Sequence, residues 1–318
     1  MARKQGWRLL LRIEDLDTPR VKPGAIDAIT DTLAWLGMDW DAPVAGPREN
    51  PLVQSNDLEP YRDALRTLAE QGLAYPCELT RAQIEQAASA PQDGSHEVAF
   101  PATLRPEIAG APMDFDMAQR DAGHSGRAGE SAASSAGSSA NWRFFCEPGV
   151  VEFADRFAGP SGYDPSENVG DFILWTKRDQ PSYQLAVVVD DARQGVDTVI
   201  RGDDLRDSAA RQLLLYRSLG YSSGSEPEYW HLPLVVGEDG RRLAKRHGDT
   251  RVEMYRERGV ACKAVIGLIA YWSIPGLSRK EMSAAEFRDR FDAATMSRKP
   301  IVFTQEDDAW LLSRRVQA

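Results

Sequence analysis

Residues 7–13, WRLLLRI, make a short apolar run that the acids of EDLD and then Thr18-Pro19 close, the pattern of a buried strand. From about Pro23 the period changes. Ile26, Ile29, Leu33 and Leu36 fall on one helical face, and Gly37 suits the position after the last turn. MDWD leads into a loop, and DLEPYRDALRTLAEQG predicts a second helix with Leu58, Tyr61, Leu65 and Leu68 in a stripe and Gly72 at its end. Beyond Cys77, TRAQIEQAASA predicts one short helix, and GHSGRAGESAASSAGSSA has nothing to bury against the entropy of ordering and predicts disorder. NWRFFCEPGVVEFADRFAG reads as two antiparallel strands about Pro148-Gly149. Alternating patterning returns with DFILWTKRD, SYQLAVVVDD and VDTVIRGDD. LAVVV, apolar without interruption, predicts a parallel strand covered on both faces. DSAARQLLLYRSLG predicts a helix ended by Gly220, and the remainder is mostly helical, with VACKAVIGLIAYW its most apolar segment and PIVFTQEDDAWLL a strand-like turn entering a last helix.

Alternation on both sides of an irregular stretch indicates an α/β fold, a doubly wound parallel sheet split by a smaller inserted α+β domain. The expected units are 1–76, the first half of the core; 77–168, the insertion, with low-complexity sequence at about 117–140; 169–237, the second half of the core; and 238–318, a basic loop and a helical region.

The chain has 318 residues, 42% of them apolar, and no stretch near the ~18 consecutive apolar residues of a membrane span. Its net charge of −10 argues against indiscriminate nucleic-acid binding while leaving room for a local basic site, of which residues 241–246, RRLAKR, are the densest. Three cysteines, Cys77, Cys146 and Cys262, make no disulfide framework and fit a reducing cytoplasm.

Four stretches could carry chemistry. Glu14, Asp15 and Asp17 sit at the carboxyl end of a predicted strand, where open parallel sheets bind ligands; a solvated terminus with Asp17 capping the next turn accounts for them equally. Tyr183 opens the predicted LAVVV strand and Asp190 and Asp191 close it, which a core tyrosine with a satisfied hydroxyl also explains. Arg201, before Gly202, could grip a carboxylate in a bidentate fork or pair with Asp203 or Asp204. GEDGRRLAKRHGD is a glycine-bounded basic turn able to hold phosphates, or a solvated charged face.

The order of LLLRIEDLD, WLGMDWD, GLAYPC, DFILWTKRD, YQLAVVVDD, VIRGDDL, HLPLV and RLAKRHGD resembles the catalytic core of the glutamyl-tRNA synthetases over nearly the whole chain outside the low-complexity insert. The resemblance implies a class I Rossmann-type core with an inserted acceptor-binding domain, a "KMSKS"-type loop, and ATP (with Mg2+) as co-substrate. An end soon after PIVFTQEDDAWL, with no anticodon-binding domain, is similar to the glutamyl-Q tRNA(Asp) synthetase branch. That branch activates glutamate without tRNA and esterifies it to the queuosine in the anticodon loop of tRNA(Asp). By this resemblance Glu14 would hold the ammonium of glutamate, Tyr183 would line the same pocket, and Arg201 would take a substrate carboxylate. Lys245 would neutralise charge on the α-phosphate as the catalytic, ATP-binding lysine. Two rival expectations are a glutamyl-tRNA synthetase fragment that charges the tRNA 3′ end, and a non-catalytic tRNA-binding paralogue.

Three departures accompany the resemblance. The family begins with a strand, a "HIGH" loop and a helix ahead of the point where ARKQG stands. The expectation is that this first unit is missing, through a start assigned inside a longer chain or through decay of the paralogue. The branch often binds zinc through Cys-x-Cys and Tyr-x3-Cys, but the matching positions here are Cys77, Leu79, Phe100 and Leu104. One thiol does not supply the ~4 ligands of zinc, so no metal is expected there, and Cys146 and His96 are expected to be structural or exposed. Finally, AKRHGD, with Ala244 where the branch has serine, looks more like the loop of the discriminating synthetases.

Overall fold

The computed structural model describes residues 1–17, 21–42, 51–87, 99–115, 140–221, 226–243 and 250–316. Its parallel elements come in pairs. Strand Arg12–Ile13 pairs with Leu52–Val53, and Thr198–Gly202 pairs with Glu228–Leu232 over five residues in register. A third parallel pair, Val235–Val236 with Ile301–Val302, joins the end of the core to the C-terminal helices. The first strand is thus shorter than WRLLLRI suggests. Leu9 lies exposed and Ile13 buried, so only the end next to the acids is built into a ladder.

SYQLAVVVDD is not a strand. Tyr183–Gln194 is a helix of 12 residues, started by Ser182, whose hydroxyl accepts the Leu185 N–H, and ended by Gly195 in the left-handed region. The run lacks a helical period because the helix is buried nearly all round, and such helices read as continuous apolar sequence. It packs among helices Glu59–Glu70 and Arg206–Ser218 and the inserted sheet, with Leu185, Ala186, Val188 and Val189 at the centre of the main core. Tertiary burial outweighs the modest helix-disfavouring tendency of three successive valines.

A four-stranded antiparallel sheet has the order Ala74–Cys77, Asn141–Phe144, Ile173–Thr176, Gln180–Pro181, and only the second of these strands lies wholly within the expected insertion of 77–168. The predicted partnership about Pro148-Gly149 is replaced. Asn141–Phe144 pairs inside this sheet, while Val151–Asp155 forms its own hairpin with Gly159–Tyr163. The six residues between Phe144 and Val151 carry the chain from one sheet to the other, and the hairpin packs on strand Glu228–Leu232. DFILWTKRD likewise contributes its strand to the antiparallel sheet rather than to the parallel core. Phe115 and Ala140, which flank the low-complexity stretch, are both buried, and the Phe115 ring lies 5.0 Å from that of Trp142. The expected disorder at about 117–140 falls almost wholly on residues outside those described.

Helix Ala25–Trp35 is present, but the Ile26–Leu36 stripe does not enter the main core; Ile29 is exposed, and Trp35 and Leu36 pack on the C-terminal helical cluster of Met254, Tyr255, Val265, Leu268 and Leu311. That cluster is carried by helices Val252–Glu257, Cys262–Ser273 and Gln305–Leu312, the last started by a Thr304–Asp307 capping box. No helix among the described residues is long and apolar enough to cross a membrane.

One close approach fixes the insertion to the core. Gly170 has φ +65°, and a Cβ there would stand 2.0 Å from the Phe100 carbonyl oxygen. Gly170→Ala is therefore expected to cost about 2–4 kcal/mol through both strain and overlap, measured as a fall in the urea midpoint at unchanged slope.

Candidate active site

Beyond the carboxyl end of strand Arg12–Ile13 lies a cavity of about 450 Å3, inside the roughly 300–1,000 Å3 range of small-molecule sites. Glu14 and Tyr183 line it together, with Asp17, Gln54, Arg178 and Gln180. Tyr183 reaches it from the first turn of the central helix rather than from a strand, and Glu14 from the strand end.

Behind Glu14 and Gln54 lies a set of buried charges. Asp190, fully buried, accepts hydrogen bonds from Gln54 Nε2 (2.9 Å), the Tyr61 hydroxyl (2.8 Å) and Arg193 (3.2 Å). Arg12 donates to Asp191 (2.8 Å) and Gln194 (3.1 Å) and lies 3.5 Å from Glu14. Burial lifts the Asp191 carboxyl, and Arg12 opposes it. Glu14 is lifted by partial loss of hydration and by the neighbouring acids, again against Arg12. Arg12 thus reaches acids on both the first strand and the central helix. This anchor was absent from the sequence reading, in which Asp190 and Asp191 closed a strand.

Burial lifts the Tyr183 hydroxyl, and the nearby Arg201 charge opposes it. Three of the five Arg201 N–H groups are committed: Nε to His231 Nε2 (2.9 Å), Nη1 to Gln212 Oε1 (2.8 Å), Nη2 to the Leu205 carbonyl (3.1 Å). These three bonds leave one N–H on each terminal nitrogen. The pairing with Asp203 or Asp204 that the sequence allowed is made by other arginines: Arg206 is 3.2 Å from Asp203, and Arg242 2.7 Å from Asp204. The structure therefore places Glu14 and Tyr183 on one cavity, and Arg201 near Tyr183 but not among the residues that line that cavity. Lys245 and His96 lie outside the described residues.

Cys77, Leu79, Phe100 and Leu104, scattered over 28 positions, meet in one apolar cluster with Tyr75, Ile84 and Phe145. Among the described residues no three His, Cys, Asp or Glu side chains converge as metal ligands. Cys146 is fully buried, its thiol pushed up to about 12 by burial and by Asp171 nearby.

The family described as tRNA synthetases class I (E and Q), catalytic domain, matches residues 1–310. A glutamyl-Q tRNA(Asp) synthetase of Symbiobacterium thermophilum is 39% identical over 98% of this chain and 90% of its own. A glutamate–tRNA ligase of Pelobacter propionicus is 32% identical over 98% of this chain but only 59% of its own. The crystal structure of a glutamate-tRNA synthetase from Elizabethkingia anophelis superposes with a TM-score of 0.74 at 24% identity, covering 98% of this chain and 64% of that one, and shows the shared fold. The chain belongs to the class I synthetases of the E and Q group and, within them, to the glutamyl-Q tRNA(Asp) synthetase family.

Two outcomes follow from this geometry. Asp190→Ala strands the Gln54 amide and the Tyr61 hydroxyl in the interior and is expected to destabilise the fold by about 3–5 kcal/mol in urea denaturation. Because an apolar cluster fills the Cys77–Leu104 region, a chelator is expected to leave the melting temperature unchanged, and elemental analysis to find no stoichiometric zinc.

Proposed function

We propose that this chain is a cytoplasmic ligase that activates glutamate with ATP, in the absence of tRNA, and transfers it to the queuosine in the anticodon loop of tRNA(Asp). The observation that carries the reading is the cavity that Glu14 and Tyr183 line together, with the Arg201 charge acting on Tyr183. Glutamate is a zwitterion with an additional carboxylate, so its pocket needs an acid and an arginine. Glu14 takes the ammonium. Arg201, with the Tyr183 hydroxyl, takes a carboxylate.

In activation, an oxygen of the α-carboxylate attacks the α-phosphorus of ATP, bound with its Mg2+, and pyrophosphate leaves. The enzyme supplies no nucleophile. Its work is alignment and cationic stabilisation, the latter assigned to Lys245 in the RLAK segment. In transfer, a hydroxyl of the acceptor nucleoside attacks the acyl carbonyl, AMP leaves, and the glutamyl ester forms. The 39% identity to a glutamyl-Q tRNA(Asp) synthetase over nearly full length on both sides supports this acceptor over the tRNA 3′ end.

Glutamate-dependent ATP–pyrophosphate exchange without tRNA is the test of the first step. Transfer of labelled glutamate to queuosine-containing tRNA(Asp), compared with an unmodified transcript, is the test of the second. Equal charging of the transcript points to the 3′ end, and no exchange at all points to a binding paralogue. Lys245→Ala is expected to lower the exchange rate about 100–1,000-fold with little change in KM for glutamate, and Arg201→Ala to raise that KM about tenfold or more. Since the Glu14 carboxyl is lifted above 4.5, ammonium binding fails as pH falls through that raised value, so KM for glutamate rises before an ordinary carboxyl would protonate.

A further inference from the structure

His231 is almost wholly buried on strand Glu228–Leu232, directly opposite Arg201 in the parallel register. Its Nδ1 lies 2.6 Å from Asp155 Oδ2, and its Nε2 lies 2.9 Å from Arg201 Nε. The guanidinium nitrogen can only donate, so Nε2 must carry a lone pair, and the proton must sit on Nδ1 toward Asp155. Asp155 is itself fixed. Its carboxylate accepts the backbone N–H groups of Phe157 (2.9 Å), Ala158 (2.6 Å) and His231 (3.1 Å), and the Arg156 N–H is bonded to the Tyr229 carbonyl (2.8 Å). Asp155 closes the first strand of the hairpin Val151–Asp155/Gly159–Tyr163, 76 residues before His231.

We propose that His231 is a positioning residue for substrate carboxylate recognition: held by Asp155 as the neutral Nδ1–H tautomer, it accepts a hydrogen bond from Arg201 Nε and thereby directs the two remaining N–H groups of that guanidinium toward glutamate. The assignment rests on the reading of Arg201 as the carboxylate ligand. It makes the hairpin, outside the parallel core in topology, a determinant of amino-acid affinity. The Tyr229 ring supports both partners, stacked at 5.8 Å on His231 and lying 5.1 Å beneath the Arg201 guanidinium.

Protonation would place an N–H against an N–H. Burial and the Arg201 charge hold the His231 pKa below 6.5, while Asp155 and Asp203 oppose them. In the window between that lowered value and 6.5 the unfolded chain binds the extra proton, so the folded state gains stability as pH rises through the window and none above it.

The test compares His231→Asn, which keeps a donor for Asp155 but is too short to bring an acceptor to Arg201, with His231→Gln, whose oxygen can reach the place of Nε2. In 15N spectra of the full chain, the His231 ring is expected to show a protonated Nδ1 and a bare Nε2, and the Arg201 Nε–H to lose its protection from exchange in His231→Asn but not in His231→Gln. KM for glutamate is expected to rise about tenfold in His231→Asn with KM for ATP unchanged, to recover in His231→Gln, and to be no higher in the Arg201→Ala, His231→Asn double variant than in Arg201→Ala alone. A bare Nδ1, an unaltered Arg201 Nε–H, or additive effects of the two substitutions would overturn the proposal. If Arg201→Ala itself leaves KM unchanged, the carboxylate assignment fails instead, and the ring and Nε signals still decide the tautomer and the contact.

Discussion

The organisation of this molecule depends on burying two adjacent carboxylates, Asp190 and Asp191, near the end of a helix that is otherwise apolar. Charges in that position are tolerable only when paired and hydrogen-bonded, and the partners come from separate parts of the chain: Arg12 from the first strand, Gln54 from the turn after the second, Tyr61 from the next helix, Arg193 from the same helix. Each partner must be in place for the core to close. The same constraint sets the site, because Arg12 extends toward Glu14 and Gln54 forms part of the cavity wall. Pocket and core therefore share one electrostatic framework.

A second framework, also polar and buried, runs behind Arg201. Gln184 accepts from Gln212 (2.9 Å), which in turn accepts from Arg201, so the residue next to Tyr183 helps orient the arginine that Tyr183 faces. Geometry at a binding site is held by neighbours whose own rotamers are fixed. Here those neighbours come from the central helix, the following helix and the inserted hairpin, so the three side chains expected to meet glutamate are braced from different directions.

How much of this the sequence disclosed follows from the range of the interactions. Helices closed by Gly72 and Gly220 were legible because caps and apolar stripes are local signals. Glu14, Tyr183 and Arg201 could be picked out by motif order, and the structure places the first two on one cavity. The central helix was misread because burial on all sides erases periodicity, and only its 12-residue length and Ser182 could have argued against a strand. The partners of Asn141–Phe144 and Val151–Asp155 were equally hidden, since a short polar link with Pro-Gly looks like a hairpin whether or not its strands pair. His231 and Asp155 had no local signature. A histidine in HLPLV gains meaning only from a carboxylate far away in sequence and a guanidinium on the next strand.

Phe115 and Ala140 show how the fold tolerates the low-complexity stretch. Both ends of that stretch are buried, the Phe115 ring against Trp142, and every described strand of the antiparallel sheet lies before Phe115 or after Ala140. Closing a loop between fixed ends grows only logarithmically more costly with its length, about 0.6 kcal/mol for each doubling. Length at this point is thus close to a neutral variable. Residues can be gained or lost there over evolutionary time while Trp142, the sheet and the distant glutamate pocket register almost nothing.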